Sequence, residues 1–131
     1  MKLSIVMYHY VRDLKNSRYP IIKGLDVKLF REQLKYIQNH YKVIRMEDLI
    51  SAFENNTKLP KNSILLTFDD GYKDHFDFVF PILNELGIQG SFFPVANPIK
   101  NGKVLDVNKI HFILAAQEDE VTLIQEIYSL L

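Results

Sequence analysis

Short apolar stretches alternate with longer segments in which apolar residues recur every three or four positions. Three of the stretches, residues 3–8, 63–68 and 91–95, have the composition of buried strands, and residues 42–44 form a minimal fourth. The run at 63–68 reads Ser-Ile-Leu-Leu-Thr-Phe and is almost uninterrupted. Such a run is typical of a parallel strand that is covered on both faces.

The segments between the stretches carry the helical period. Asp26 is a suitable N-cap for a helix that ends near residues 39–40, and further helices are predicted at 46–53, 72–86, 107–116 and 121–131. Gly87 is predicted to end the third helix in a left-handed conformation. The inward positions predicted for that helix are Phe76, Val79, Phe80, Leu83 and Leu86. Strands and helices that alternate at this spacing favour right-handed βαβ units and a parallel sheet.

The amino-acid composition limits the kinds of molecule that this chain is expected to bind. The 131 residues include 16 basic and 16 acidic side chains, so no overall charge would attract nucleic acid or an anionic membrane. No apolar stretch is long enough to span a bilayer or to serve as a signal peptide, and a cytoplasmic protein is expected. The chain has no cysteine, which leaves Asp, Glu and His as the candidate metal ligands.

The candidate chemistry lies at the end of the most strongly predicted strand, where Asp69 and Asp70 are adjacent. Active sites of parallel α/β folds lie at the carboxyl ends of their strands. Two neighbouring carboxylates repel each other there, and a bound divalent cation is the simplest way to offset this repulsion. Gly71 permits a sharp turn directly after the pair.

The segment Leu66–Tyr72, Leu-Thr-Phe-Asp-Asp-Gly-Tyr, resembles the first motif of the polysaccharide deacetylase (NodB-homology) family, carbohydrate esterase family four. Residues 7–11 and 90–95 resemble its opening strand and the strand after the motif helix, and the likeness extends from about residue 2 to residue 97. The resemblance implies an α/β fold, a partial (β/α) barrel of parallel strands cut after about four βα units. Residues 1–131 would then be the N-terminal part of a single catalytic domain.

The resemblance also implies hydrolytic removal of acetyl groups from N- or O-acetylated sugars. Asp69 would be the general base, and Asp70 would bind a divalent metal, usually zinc in this family, together with two histidines of a His-(Ser/Thr)-x-x-His motif. That motif does not occur in this sequence. Since zinc sites use at least three protein ligands, the chain alone is expected to be inactive and at best a weak metal binder.

Other candidate residues are less specific. His9, after the first strand, and Tyr72 are candidate substrate contacts, although His9 could equally be structural and Tyr72 could equally pack the motif helix. We expect His40, His75 and His111 to be structural, with His75 solvated or half-buried on a helix that points away from the site. Five aromatic residues could suggest a sugar-stacking surface, but core packing is expected for most of this set, which is Phe76, Phe78, Phe80, Phe92 and Phe93.

Two other functions stay open. A degenerate member of the family could bind glycans or protein partners without catalysis, and a magnesium-dependent phosphoryl-transfer protein could also use a strand-end acid pair. An open edge of a partial barrel would further permit a homodimer or domain swap.

Overall fold

The computed structural model describes residues 2–117 and 119–130. The chain forms six strands, six α-helices and one π-helical turn in this part. In order they are β1 (Leu3–Tyr8), β2 (Val11–Arg12), β3 (Leu25–Asp26), α1 (Val27–His40), β4 (Lys42–Val43), α2 (Met46–Glu54), β5 (Ser63–Asp69), the π turn (His75–Val79), α3 (Phe80–Glu85), β6 (Ser91–Phe93), α4 (Ala96–Asn101), α5 (Asp106–Ala116) and α6 (Glu120–Ser129).

The main sheet is parallel and is centred on β5. Strand β1 pairs with β5 along its whole length, from Leu3 opposite Ser63 to Tyr8 opposite Phe68. The other side of β5 is shared, because β4 pairs near its start and β6 pairs near its end. This arrangement confirms the predicted α/β fold with parallel strands and is consistent with a partial barrel.

The main core lies between β5 and the helices α1 and α3. Residues 63–68 are all buried, as the uninterrupted apolar run predicted. Helix α1 begins where expected, because the Asp26 side chain accepts a hydrogen bond from the Lys28 N–H at 2.9 Å. The hydrophobic residues of this core are Tyr8, Val11, Phe30, Leu34, Ile37, Ile64, Leu66, Phe68, Val79, Ile82 and Leu83.

The segment after the acid pair differs from the prediction. Its inward face is made by His75, Val79, Ile82 and Leu83, whereas the predicted inward residues Phe76 and Phe80 are 74% and 54% exposed. The physical reason is the π turn, which changes the helical phase, and Pro81 follows it without an N–H to donate. Expected core packing is also wrong for Phe93, which is 48% exposed, whereas Phe92 is 39% exposed and still stacks on the buried Phe68 ring.

Helix α5 packs on a second, smaller core. Ala115 and the half-buried Phe112 contact Tyr10 and Ile22, which lie on the segments flanking β2. This cluster places α5 next to the carboxyl ends of β1 and β5. A homodimer or domain swap through the open sheet edge stays a prediction.

None of the helices in the ranges 2–117 and 119–130 combines the length and the apolar content that a membrane crossing needs.

Candidate active site

Asp69 and Asp70 form the turn that leaves β5. Asp69 is half-buried, ends the strand and pairs with Phe93 of β6. The backbone of Asp70 is in the left-handed region, with φ of 71°, and its N–H donates to the Phe93 carbonyl at 3.1 Å. Aspartate tolerates this backbone region better than most residues because its short side chain can hydrogen-bond locally. The pair is therefore held at the sheet edge by the backbone of a neighbouring strand.

Gly71 is required by both its conformation and its surroundings. Its φ is 68°, and a Cβ at this position would lie 2.7 Å from the Pro94 Cβ. A side chain would therefore push β6 away from the turn.

The hydroxyl of Tyr72 donates to Oδ2 of Asp70 at 2.6 Å. The Tyr72 ring also stacks on Tyr10, with 4.3 Å between the ring centroids. Burial and, after it, the hydrogen bond to Asp70 raise the pKa of the Tyr72 phenol well above its usual value. Tyr72 is consequently a protonated donor at neutral pH. Its role as a substrate contact stays a prediction.

Asn108 of α5 extends this contact into a chain of polar groups. Its Nδ2 donates to the Tyr72 hydroxyl at 2.7 Å and to the Tyr10 hydroxyl at 3.0 Å, and the Tyr10 hydroxyl lies 3.2 Å from His111 Nδ1. Asn108 is 6% exposed. Our sequence reasoning missed it, although Asn108, Phe112 and Ala115 have the i, i+4, i+7 spacing of one helix face.

The side chain of His75 contacts the backbone of His9 at the same end of the sheet. His9 follows Tyr8, the last β1 residue paired with β5, and is exposed, as a candidate substrate contact must be. His75 is 4% exposed and its Nε2 donates to the His9 carbonyl at 2.6 Å. The expectation of a solvated or half-buried His75 that points away from the site is therefore wrong. The helix carries it inward because the π turn begins there.

The burial of His75 predicts a pH dependence of stability. Desolvation lowers the pKa of His75 below its ordinary value of about 6.5, so the unfolded chain binds a proton more readily than the folded chain. The stabilisation is present above about pH 6.5 and is lost as the pH falls below it. Urea unfolding at several pH values should show a shallower loss between pH 7 and 5 for His75→Gln. His40→Gln, at an exposed position, is the matched control, and an unchanged slope in His75→Gln would contradict the assignment.

An ion pair with little solvent exposure was also missed by sequence reasoning. The Arg12 guanidinium pairs with Asp74, and the two side chains are 11% and 19% exposed. The same guanidinium lies 4.9 Å from the centroid of the Tyr10 ring. This pair ties β2 to the residue just before the π turn and so supports the Tyr10 end of the polar chain.

Asp70 fits the role of one carboxylate ligand for a cation. Oδ2 is engaged by Tyr72, while Oδ1 makes no hydrogen bond to residues 2–117 or 119–130. In those same ranges, however, no three His, Cys, Asp or Glu side chains converge in a way that could hold a metal ion. The described residues therefore do not by themselves bring together the three protein ligands that zinc sites use.

A parallel sheet whose central strand ends in a carboxylate pair and a glycine turn defines an α/β protein with a site suited to acid–base hydrolysis. The sequence profile described as Polysaccharide deacetylase matches residues 56–126, which is more than half of the chain. The chain belongs to this family of hydrolases. The match includes the acid pair, Gly71, Tyr72 and Asn108.

Individual relatives agree with the family. The chain is 27% identical over 99 residues to the Bacillus subtilis protein YxkH, which is named as a polysaccharide deacetylase; the match covers 75% of this chain and 33% of YxkH. It is 28% identical over 94 residues to the poly-beta-1,6-N-acetyl-D-glucosamine N-deacetylase of Escherichia coli K12, covering 70% and 14% of the two chains. The chain thus spans about a third or less of these relatives.

Solved structures share the fold. A de-N-acetylase from Aggregatibacter actinomycetemcomitans superposes with a TM-score of 0.66 at 22% identity, over 79% of this chain and 42% of that one. IcaB from Ammonifex degensii superposes with a TM-score of 0.58 at 26% identity, over 75% and 42%. These likenesses bear out the predicted NodB-type partial barrel.

Proposed function

We propose that this chain is the N-terminal part of a catalytic domain that removes acetyl groups from an acetylated polysaccharide. The observation that carries the proposal is the Asp69–Asp70 turn, which leaves the central parallel strand of a chain that belongs to the polysaccharide deacetylase family. Strand ends of this kind are where parallel α/β folds place their catalytic groups.

Within this site we assign Asp69 as the general base. It is half-buried at the end of β5, so a substrate at the sheet edge can reach it. A positioned carboxylate can take the proton of the water that attacks an acetyl carbonyl. Asp70 suits a different role, because its Oδ2 is occupied by the Tyr72 hydroxyl. We assign Asp70 as a ligand of a divalent metal, with zinc as the preferred ion.

An N-acetylated glucosamine polymer is the substrate class we favour. The Escherichia coli relative, 28% identical over 94 residues, is named for that substrate. His9 is exposed beside the acid pair and is our candidate for a sugar contact, and the ring of Tyr72 is the second.

The remaining metal ligands are proposed to come from outside the described residues, as the pair of histidines that the family motif supplies. This follows from the ligand count, since residues 2–117 and 119–130 bring no three candidate ligands together. The same observation favours the second candidate function, a non-catalytic member that binds glycans or a partner. Membership of the family gives no support to the phosphoryl-transfer alternative.

Acetate release tests the proposal. A protein translated from the complete reading frame is expected to release acetate from an N-acetylglucosamine oligomer in the presence of zinc and to stop after chelation. The 131-residue chain alone is expected to release none. Absence of release by a complete protein that carries the histidine motif would contradict the catalytic proposal, and release that survives chelation would contradict the metal assignment. A reading frame that ends without the motif would favour the non-catalytic function.

A further inference from the structure

The proton positions in the chain from Asp70 to His111 follow from its geometry. A carboxylate can only accept, so the 2.6 Å contact between Asp70 Oδ2 and the Tyr72 oxygen requires the single phenolic proton of Tyr72. Tyr72 therefore has no proton left for Asn108 and must accept from it. This fixes the side-chain amide of Asn108 with its NH₂ group toward the tyrosines.

The second proton of the Asn108 NH₂ group determines the hydrogen bonds on the Tyr10 side of the chain. Asn108 Nδ2 also lies 3.0 Å from the Tyr10 hydroxyl, which accepts from it. The phenolic proton of Tyr10 is then directed to His111 Nδ1, 3.2 Å away. In this arrangement His111 Nδ1 accepts from Tyr10, and the ring proton lies on Nε2.

The opposite amide orientation would reverse the chain. With its oxygen toward the tyrosines, Asn108 would accept both phenolic protons, and Asp70 Oδ2 would face a second oxygen without a proton between them. Because Asn108 is buried, water does not readily replace the missing bond. Asn108 thus sets the direction of both branches from one position.

We propose that Asn108 is a positioning residue that commits the Tyr72 hydroxyl to Oδ2 of Asp70 and leaves Oδ1 as the oxygen available to a ligand. This inference rests on the proposed role of Asp70 in the active site. It assigns helix α5, which contributes neither acid of the pair, to the orientation of the second one. Groups that hydrogen-bond to metal-ligating carboxylates act in this way, by fixing the ligand's orientation.

Nuclear magnetic resonance tests the proton directions in the 131-residue chain. The wild-type chain should show a slowly exchanging Tyr72 hydroxyl proton close to the Asn108 amide protons, and ring ¹⁵N shifts of His111 that report protonated Nε2. Asn108→Asp is nearly isosteric but can only accept when ionised, so both signatures should be lost together. Tyr10→Phe should change His111 and leave the Tyr72 signal, while Tyr72→Phe should remove that signal and leave His111.

The outcomes separate this inference from the proposed function. A wild-type chain whose Tyr72 hydroxyl proton shows no proximity to the Asn108 amide protons, or a Tyr72 hydroxyl signal that persists in Asn108→Asp, would overturn the role of Asn108 whether or not the enzyme releases acetate. The wild-type and single-tyrosine measurements decide this even where Asn108→Asp fails to fold. In the complete acetate-releasing protein, we expect Asn108→Asp to lower kcat by about 10- to 100-fold with little change in KM. An unchanged kcat would also overturn the positioning role.

Discussion

Asp69→Asn is expected to lower acetate release by the complete protein by about 10²- to 10⁴-fold, the usual contribution of a general base. The substitution keeps the size and shape of the side chain while removing its capacity to take a proton at neutral pH. The fold should be preserved, because Asp69 is half-buried and its backbone pairing with Phe93 does not involve the carboxylate. Acetate release from an N-acetylglucosamine oligomer, with unfolding curves of both proteins, measures the effect.

Asp106→Asn is the matched control for this prediction. The Asp106 side chain is 91% exposed and pairs with Lys109 on the surface of α5, so its loss should leave acetate release close to wild type. If Asp69→Asn were as active as Asp106→Asn, Asp69 would not be the base. A loss of activity in both variants would point to an effect on folding, and the unfolding curves would show it.

Phe68→Ala is expected to lower the free energy of unfolding by about 3–5 kcal/mol, the range for large-to-small changes in a core. Phe68 is fully buried in β5 and its ring stacks on Tyr8 and Phe92, at centroid distances of 5.1 Å and 4.9 Å. Gly90 packs so closely on this ring that an added Cβ would clash with it. Since small domains are stable by roughly 5–15 kcal/mol, the loss is a large share of the total.

Phe76→Ala provides the control for the same residue type. Phe76 is 74% exposed, and its truncation should change the unfolding free energy by less than about 0.5 kcal/mol. Urea unfolding followed by circular dichroism compares the two variants directly. Equal losses would mean that Phe76 is packed in solution, as the simple helical period predicted.

The strongest patterns in the sequence were sufficient to predict most of the fold. The apolar run at 63–68 and the helical period of α1 each reflect a surface that contacts the core. Many residues in each segment therefore indicate the same buried face. The segment after the acid pair could not be placed in this way. There the direction in which the helical side chains point depends on a single π turn. Whether Phe76 or His75 lies inward depends on the tertiary contacts that each side chain can make, such as the hydrogen bond from His75 to the His9 carbonyl.

The sequence by itself determined the parallel α/β class, the acid pair at the end of β5 and the family, because these depend on local composition and on a contiguous motif. Tertiary structure alone decided what surrounds the pair. Asn108, Tyr10 and Tyr72 are 36 to 98 residues apart in the contacts they make, and no local pattern encodes such a meeting. Hydrogen bonds between buried polar groups are directional and short, so they form only once the packing of α5 has brought the partners together.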